Sequence, residues 1–281
     1  MESVSKAMQK LMAKFLYIVD VPCPECGGEM TAWKEKEEDP PRCAPVCMEC
    51  GYKSLQKKEA VSTQKMYEDS LKQKGINYLR YSSIVTDKAL WSCRLDNYRE
   101  IDQETLHAKT VALSAVDKLV KGEDIHVIFS GKTGTGKSHL SMGILQEVLE
   151  KSNYDKRCLF INYRELLEQL KFAMNDEQAR KAITGSLMTE IKIADVVVID
   201  DMGAELGSIE NQKPATSYNL DTLTSILEAR QSKATIFTSN LTAVQIEKAY
   251  SDRVLSRMLK NSTGFAVKMA TTNDKRVSVE I

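Results

Sequence analysis

No stretch of this chain approaches the roughly 18 consecutive apolar residues that span a bilayer. The longest apolar run near the amino terminus, Phe15 to Val19, stops at Asp20 and a proline. A secretory signal pattern is absent as well, which points to a cytoplasmic protein with no membrane partner. Net charge is lacking too: 39 basic residues balance 39 acidic ones. Contact with nucleic acid must therefore rest on a local patch and not on the field of the whole molecule. Seven cysteines are an odd number, and four stand in CxxC pairs. That excludes a closed disulfide framework and favours metal thiolates in a reducing compartment. What remains is ordinary globular composition, 42% hydrophobic and 28% charged over 281 residues, enough for one large or two modest domains.

The informative stretch is Ile125 to Ser141. Ile125 to Phe129 read as a short buried strand, and Leu140, Ile144, Leu145, Val148 and Leu149 mark one face of a helix. Between them, Gly131, Lys132, Thr133, Gly134, Thr135, Gly136, Lys137 and Ser138 fit the phosphate-loop pattern Gly-x4-Gly-Lys-Ser. Glycines let consecutive backbone N–H groups curl around a phosphate without Cβ clashes, and the helix N-terminus adds partial positive charge. Lys137 can reach the β- and γ-phosphates of ATP, and the Ser138 hydroxyl can ligate Mg²⁺. A turn that matches by chance would lack the strand before and the helix after.

Downstream, strands and helices alternate. Cys158 to Ile161 predicts a second strand; Leu166, Leu167, Leu170 and Met174 mark a helix, and Leu187, Met188 and Ile191 another. Asp195-Val-Val-Val-Ile-Asp200-Asp201 reads as a buried parallel strand ending in two carboxylates. That is the Walker B arrangement, in which Asp200 holds Mg²⁺ and Asp201 polarises the attacking water; the plainer alternative makes both acids turn formers. A fourth strand, Ala234 to Phe237, ends in Thr238-Ser239-Asn240, which puts Asn240 at the crevice where open α/β sheets bind ligands. Asn240 can orient the lytic water there, or simply cap the helix starting near Thr242. On the helix from Ser251 to Lys260, Arg253 and Arg257 lie four residues apart and leave the same side. Either can serve as an arginine finger to a neighbouring copy; a solvated basic face is the alternative. Phe265 to Met269 and Val277 to Ile281 predict closing strands.

The amino-terminal third is different. Cys23-Pro-Glu-Cys26 and Cys47-Met-Glu-Cys50, each followed by glycine, can put four thiolates on one tetrahedral Zn²⁺. Such a closed site is structural and not catalytic. Cys43 is a fifth candidate. Val4, Met8, Leu11, Met12, Phe15 and Leu16 form an apolar helical stripe, for packing on the zinc module or docking a partner. We divide the chain into a zinc-ribbon-like domain over 1–58, a linker over 59–92 with helix around Ser62 to Lys74, and an α/β domain over 93–281.

Four segments in order, 131–140, 196–205, 238–241 and 252–258, resemble the DnaC-like branch of AAA+ ATPases. That branch contains bacterial helicase loaders of the DnaC and DnaI type, their phage counterparts and the transposition ATPase IstB. The likeness implies an AAA+ (ASCE) P-loop NTPase fold, with a parallel sheet flanked by helices and no separate lid. It implies ATP hydrolysis, with Lys137, Asp200, Asp201, Asn240 and Arg257 in catalytic roles and Arg253 as second choice for the finger. Nucleotide contacts are implied for Gly131, Thr133, Gly134, Thr135, Gly136, Lys137, Ser138 and His139. Asn97 and Tyr98, in Leu95-Asp96-Asn97-Tyr98, look like the family's segment near the adenine. Glu205 sits where the family keeps an acid near nucleotide or DNA, and Arg276 resembles its closing motif. Walker B ending in Asp201 departs from the glutamate of most AAA+ proteins. The zinc module is similar to that of DnaI-type loaders, whose N-terminal domain grips the helicase. The resemblance thus implies a DnaB-type hexameric replicative helicase as partner, and single-stranded DNA touched by the stretch from Tyr163 to Ile183 with Arg164, Lys171, Arg180 and Lys181. It also implies self-association of the ATPase domains into a hexamer. An IstB-like ATPase acting on duplex DNA is the alternative. A small-molecule kinase would need a lid rich in arginine between the second strand and Walker B, where only scattered basic residues stand.

Overall fold

Val196, Val197, Val198 and Ile199 are branched residues in an unbroken row, which suits a strand covered on both faces and fits poorly in a helix. Four similar runs surround it in the computed structural model, which describes residues 14–34, 44–173, 178, 181–207 and 214–275. Of the expected helical stripe, Val4 to Met12 lie outside the described residues, as do Cys43, Arg180, Arg276 and the expected strand from Val277, while Leu16 opens a strand instead of continuing a helix. The chain forms two compact units, residues up to Ser70 and from Leu71 onward.

In the first unit, β1 (Leu16–Val19), β2 (Met30–Trp33) and β3 (Val46–Cys47) form an antiparallel sheet in the order β1-β2-β3. Its core is small: Cys23, Met30 and Cys47, with Val19 and Tyr52 packed against them. The helix α1 (Ser54–Ser82) follows and runs through the division between the units.

The second unit continues with α2 (Gln103–Val120), β4 (His126–Gly131), α3 (Lys137–Lys151), β5 (Cys158–Asn162), α4 (Tyr163–Ala173) and α5 (Met188–Ile193). After these come β6 (Val196–Met202), α6 (Ser217–Ala229), β7 (Ala234–Ser239), α7 (Ala243–Ala249), α8 (Asp252–Leu259) and β8 (Ala266–Met269). The sheet order is β5-β6-β7-β4-β8, and every pairing is parallel. Thus β7 lies between the phosphate-loop strand β4 and the carboxylate strand β6, the ASCE arrangement. Alternate residues of each strand serve opposite layers. Val127, Phe129, Phe160 and Val198 pack on α2 and α3, whereas Ile128, Leu159, Val197 and Phe237 pack beneath α4, α6, α7 and α8. Because all strands point the same way, Gly131, Asn162, Asp200 and Ser239 finish at one edge of the sheet.

One buried charge closes the opposite edge. Arg230, just past α6, is 1% exposed. Its guanidinium donates to the carbonyls of Ile191, Ala194, Asp195 and Ala234 and to Thr235 Oγ1. The cation satisfies carbonyls at the end of α5, where the helix has none of its own donors left. Burial lowers its pKa to about 10, so it stays charged at neutral pH. Arg230→Leu leaves these acceptors unpaired in the interior. We expect a loss of about 3–5 kcal/mol of stability, read as a lower urea midpoint with an unchanged m-value.

Candidate nucleotide-binding site

The loop from β4 to α3 turns on glycines with positive φ, Gly131 at 145°, Gly134 at 81° and Gly136 at 93°. A Cβ on Gly131 would come within 2.1 Å of the Met269 carbonyl, so close packing on β8 as well as φ demands glycine there. Gly136 is the N-cap of α3 and offers no side chain, which leaves the first amides of the helix for a ligand. Thr135 is buried and ties the loop to itself, its hydroxyl donating to Lys132 O. Around the loop opens a cleft of 520 Å³, lined by Thr133, Gly134, Gly136, Lys137, Ser138 and His139 from the loop and helix. Asn97, Tyr98, Asp200, Asp201, Thr238 and Asn240 complete its walls.

Within the cleft the groups are already connected. Lys137 Nζ donates to Gly131 O, Lys132 O and, at 2.8 Å, to Asn240 Oδ1. Asn240 Nδ2 donates in turn to Asp201 Oδ1 at 3.2 Å. Ser138 Oγ donates to Asp200 Oδ1 at 2.8 Å, and Thr238 Oγ1 donates to the same oxygen at 2.7 Å. Thr238 Oγ1 also accepts from the Asp201 backbone N–H, which holds Asp201 at a φ of 58° and turns its carboxylate toward Asn240. Asn240 is not a helix cap: Thr242 caps α7, accepting from Gln245 N and forming a capping box. Thr238 went unmarked in the sequence, although it sits two residues before Asn240 on the same strand end.

Asn97 and Tyr98 border the cleft, and their polar atoms hold its wall. Tyr98 OH donates to Thr135 O, and Asn97 Oδ1 accepts from Arg94 N. His139 Nε2 lies 2.9 Å from both Arg94 O and Asn97 Oδ1, two acceptors that require the proton on Nε2. A second hollow of 600 Å³ lies beyond the end of α1, but Glu165 and Glu190 in its wall disfavour an anionic ligand.

A family model described as "IstB-like ATP binding protein" matches residues 49–274. The chain belongs to that family. It is 25% identical over 260 residues to the replicative helicase loader DnaC of Escherichia coli K12, covering 92% of this chain and 90% of that protein. Among solved structures, the DnaC helicase loader superposes with a TM-score of 0.54 at 19% identity, over 66% of this chain and 100% of that one. DnaI superposes at 0.53 and 21% identity, over 68% and 96%. These likenesses establish the AAA+ fold, and the family description names ATP binding.

The residues fit that ligand. Glycine-lined amides would receive phosphate oxygens, Lys137 would supply a cation, and Ser138 with Asp200 would offer two hard oxygens to Mg²⁺. Elsewhere on this family member, Arg253 and Arg257 stand outside the cleft. Arg253 Nη2 and Arg257 Nη2 both donate to Glu228 Oε1 on α6, at 2.7 and 2.9 Å. Arg253 is the freer side chain, 64% exposed against 16% for Arg257. Glu205 is away from the phosphate loop; it accepts from Gly203 N and from Tyr250 OH. It borders a hollow with Arg164 and Lys171. In the stretch expected to meet DNA, Tyr163 is buried and bonded to Asn219 O, Arg164 pairs with Glu168, and Phe172 is 76% exposed.

In the first unit the sulfurs of Cys23, Cys26, Cys47 and Cys50 lie within 4.8 Å of one another. Cys23 to Cys50 and Cys26 to Cys47 are each 3.6 Å apart. Tetrahedral thiolates at about 2.3 Å from a zinc ion are separated by about 3.8 Å, so this donor set fits such an ion. Gly27 and Gly51, at φ of 74° and 75°, turn the chain back after each pair.

Burial pushes the Asp200 carboxyl up to about 6, with hydroxyls of Thr238 and Ser138 opposing the rise and Asp201 adding to it. The folded state therefore favours the neutral acid. Its contribution to stability is complete below the unfolded pKa near 3.9 and is lost as pH rises through about 6. Asp200→Asn removes that loss while keeping an acceptor for both hydroxyls. At pH 7.5 the nucleotide-free variant should be more stable than wild type by up to about 3 kcal/mol, and equal to it at pH 4, by urea denaturation.

Proposed function

We propose that this chain is an ATPase that loads a hexameric replicative helicase onto single-stranded DNA during replication initiation. The observation that carries the reading is the division of the catalytic groups. Lys137, Asn240 and Asp201 form one bonded chain inside the cleft, while the arginines of α8 lie outside it, paired with Glu228. Completing the charge around a γ-phosphate then takes a second copy of the chain, with Arg257 of one copy contacting the nucleotide of the next. Self-association of this kind, extended to a hexamer, provides a scaffold matched to a helicase ring. In the cleft, Asp201 is set to polarise water and Asn240 to orient it; Asp200 and Ser138 would hold Mg²⁺, which supplies positive charge between the phosphates.

The likeness to a protein described as a replicative helicase loader, over nearly the whole of both chains, supports this choice of partner. The first unit adds a surface for it: Phe15, Trp33 and Met48 are exposed around an apolar groove of 380 Å³. We assign residues 1–58 to helicase contact, 59–92 to a linker and 93–281 to the ATPase. We also assign one Zn²⁺ to the four cysteines and DNA contact to α4 and the turn after it, beginning with Arg164 and Lys171. The second reading, a transposition ATPase on duplex DNA, draws on the family description; the four-cysteine unit is unexplained by it.

Three measurements test the proposal. Full-length protein mixed with purified host or phage replicative helicase should co-elute in ATP, and its turnover should rise with single-stranded and not with duplex DNA; stimulation by duplex alone would transfer the protein to the second reading. Arg257→Ala should keep single-chain ATP affinity within twofold and lower assembly-dependent turnover by about 10³-fold or more. Unchanged turnover would reassign the finger to Arg253. Metal analysis should return one zinc per chain, and Cys47→Ser should lose both the metal and helicase co-elution while ATP binding persists.

A further inference from the structure

The end of the described chain, Thr271 to Lys275, crosses back over the phosphate loop. Its path is held by one carboxylate. Glu104, in the first turn of α2, accepts on Oε2 from Thr271 N, Thr272 N and Thr272 Oγ1, each at 2.9 Å. Desolvation alone would raise the Glu104 pKa; the donors of Thr272 and Thr271 outweigh it and hold the carboxyl at about 2. The Lys275 backbone N–H then donates to Gly134 O at 3.0 Å. Asp274 presses on the same glycine so closely that a Cβ there would lie 1.9 Å from its carboxylate.

From that fixed backbone the Lys275 side chain enters the wall of the nucleotide cleft. Its Nζ stands 3.6 Å from the centre of the Tyr98 ring and 3.5 Å from the position a Cβ on Gly136 would take. It donates to Arg99 O. An ammonium has three donors, and only one is used in this way. Among the described residues no carboxylate lies within ion-pair distance of it, and desolvation lowers its pKa to about 8. A cation half removed from water, resting on an aromatic face and a carbonyl, with Asp102 and Glu100 acting on it only from beyond ion-pair distance, is poised for an anionic ligand. Gly136 belongs to the crown of the phosphate cradle, so the nearest anion in a filled cleft is the diphosphate segment.

We propose that Lys275 is a second phosphate-binding cation of this cleft, meeting the α–β segment of the nucleotide from the Tyr98 side while Lys137 stands on the Asn240 side. Glu104 is its positioning residue. The assignment rests on the reading of the cleft as an ATP site. In the sequence the resemblance marked Arg276 of Asp274-Lys275-Arg276 as a closing motif and gave Lys275, far from the loop in the chain, no role.

The test is equilibrium titration of the full-length protein with ATP and with ADP, in wild type and in a series that varies charge at one position. Lys275→Met should weaken both nucleotides about tenfold, Lys275→Glu about a hundredfold, and Lys275→Arg less than threefold. Glu104→Gln should weaken both about threefold. Melting temperatures without nucleotide should stay within a few degrees across the Lys275 series. Affinities of the Met and Glu variants within threefold of wild type would overturn the assignment. Equal weakening in all three, arginine included, would also overturn it, because that pattern belongs to packing on Tyr98 and not to charge. A wild-type chain that binds neither nucleotide, with Lys137→Ala no worse, would remove the ATP reading itself.

Discussion

Asp200 is the point on which the second unit turns. One of its oxygens, at the end of β6, receives the hydroxyl of Ser138 from α3 and the hydroxyl of Thr238 from β7. Three elements distant in sequence are thereby fixed around one buried carboxylate, in a setting where each unmade bond would be costly. The same burial raises the acid's pKa, so the site holds an ionisable group in a state less favourable than water would give it. A cation delivered with a nucleotide would relieve that condition. Binding and local stability would then be opposed at Asp200, a pattern common where function outranks stability.

Parallel strands explain why the groups meet at all. Because β4, β6 and β7 run in one direction, their carboxyl ends deliver the phosphate loop, the paired acids and Asn240 to a single edge. The arginines of α8 are delivered elsewhere, held by Glu228 on the flank. On the proposed reading a single chain would carry half of a catalytic site, and a second copy would bring the arginines of α8 to it. The pairing with Glu228 is well exposed at Arg253, where it is weak.

The first unit solves a different problem. Among the described residues, three short strands and a core of Cys23, Met30 and Cys47 bury little apolar surface. Four sulfurs spaced to hold one ion would supply coordination in place of a larger core, and Phe15, Trp33 and Met48 stand at the surface.

Much of this was legible in the sequence, since local chemistry states itself in local patterns. The glycine spacing of residues 131–136, the branched run before Asp200 and the two CxxC pairs each need only their immediate neighbours to be understood. Asn240 and Arg257 were legible as types at strand and helix positions. The roles of Thr238, Glu228, Glu104 and Lys275 were not, because each acts on a partner far away in the chain: Thr238 on Asp200, Glu228 on Arg253 and Arg257, Glu104 on Thr272, Lys275 on Tyr98. Periodicity reports which face of an element is buried and is silent on what another element brings to it. The sequence by itself determined an α/β unit with a phosphate-loop pattern behind a unit with two CxxC pairs; only the tertiary structure decided which hydroxyls, carboxylates and cations share a contact, because hydrogen bonds form between positions in space and not between positions in a chain.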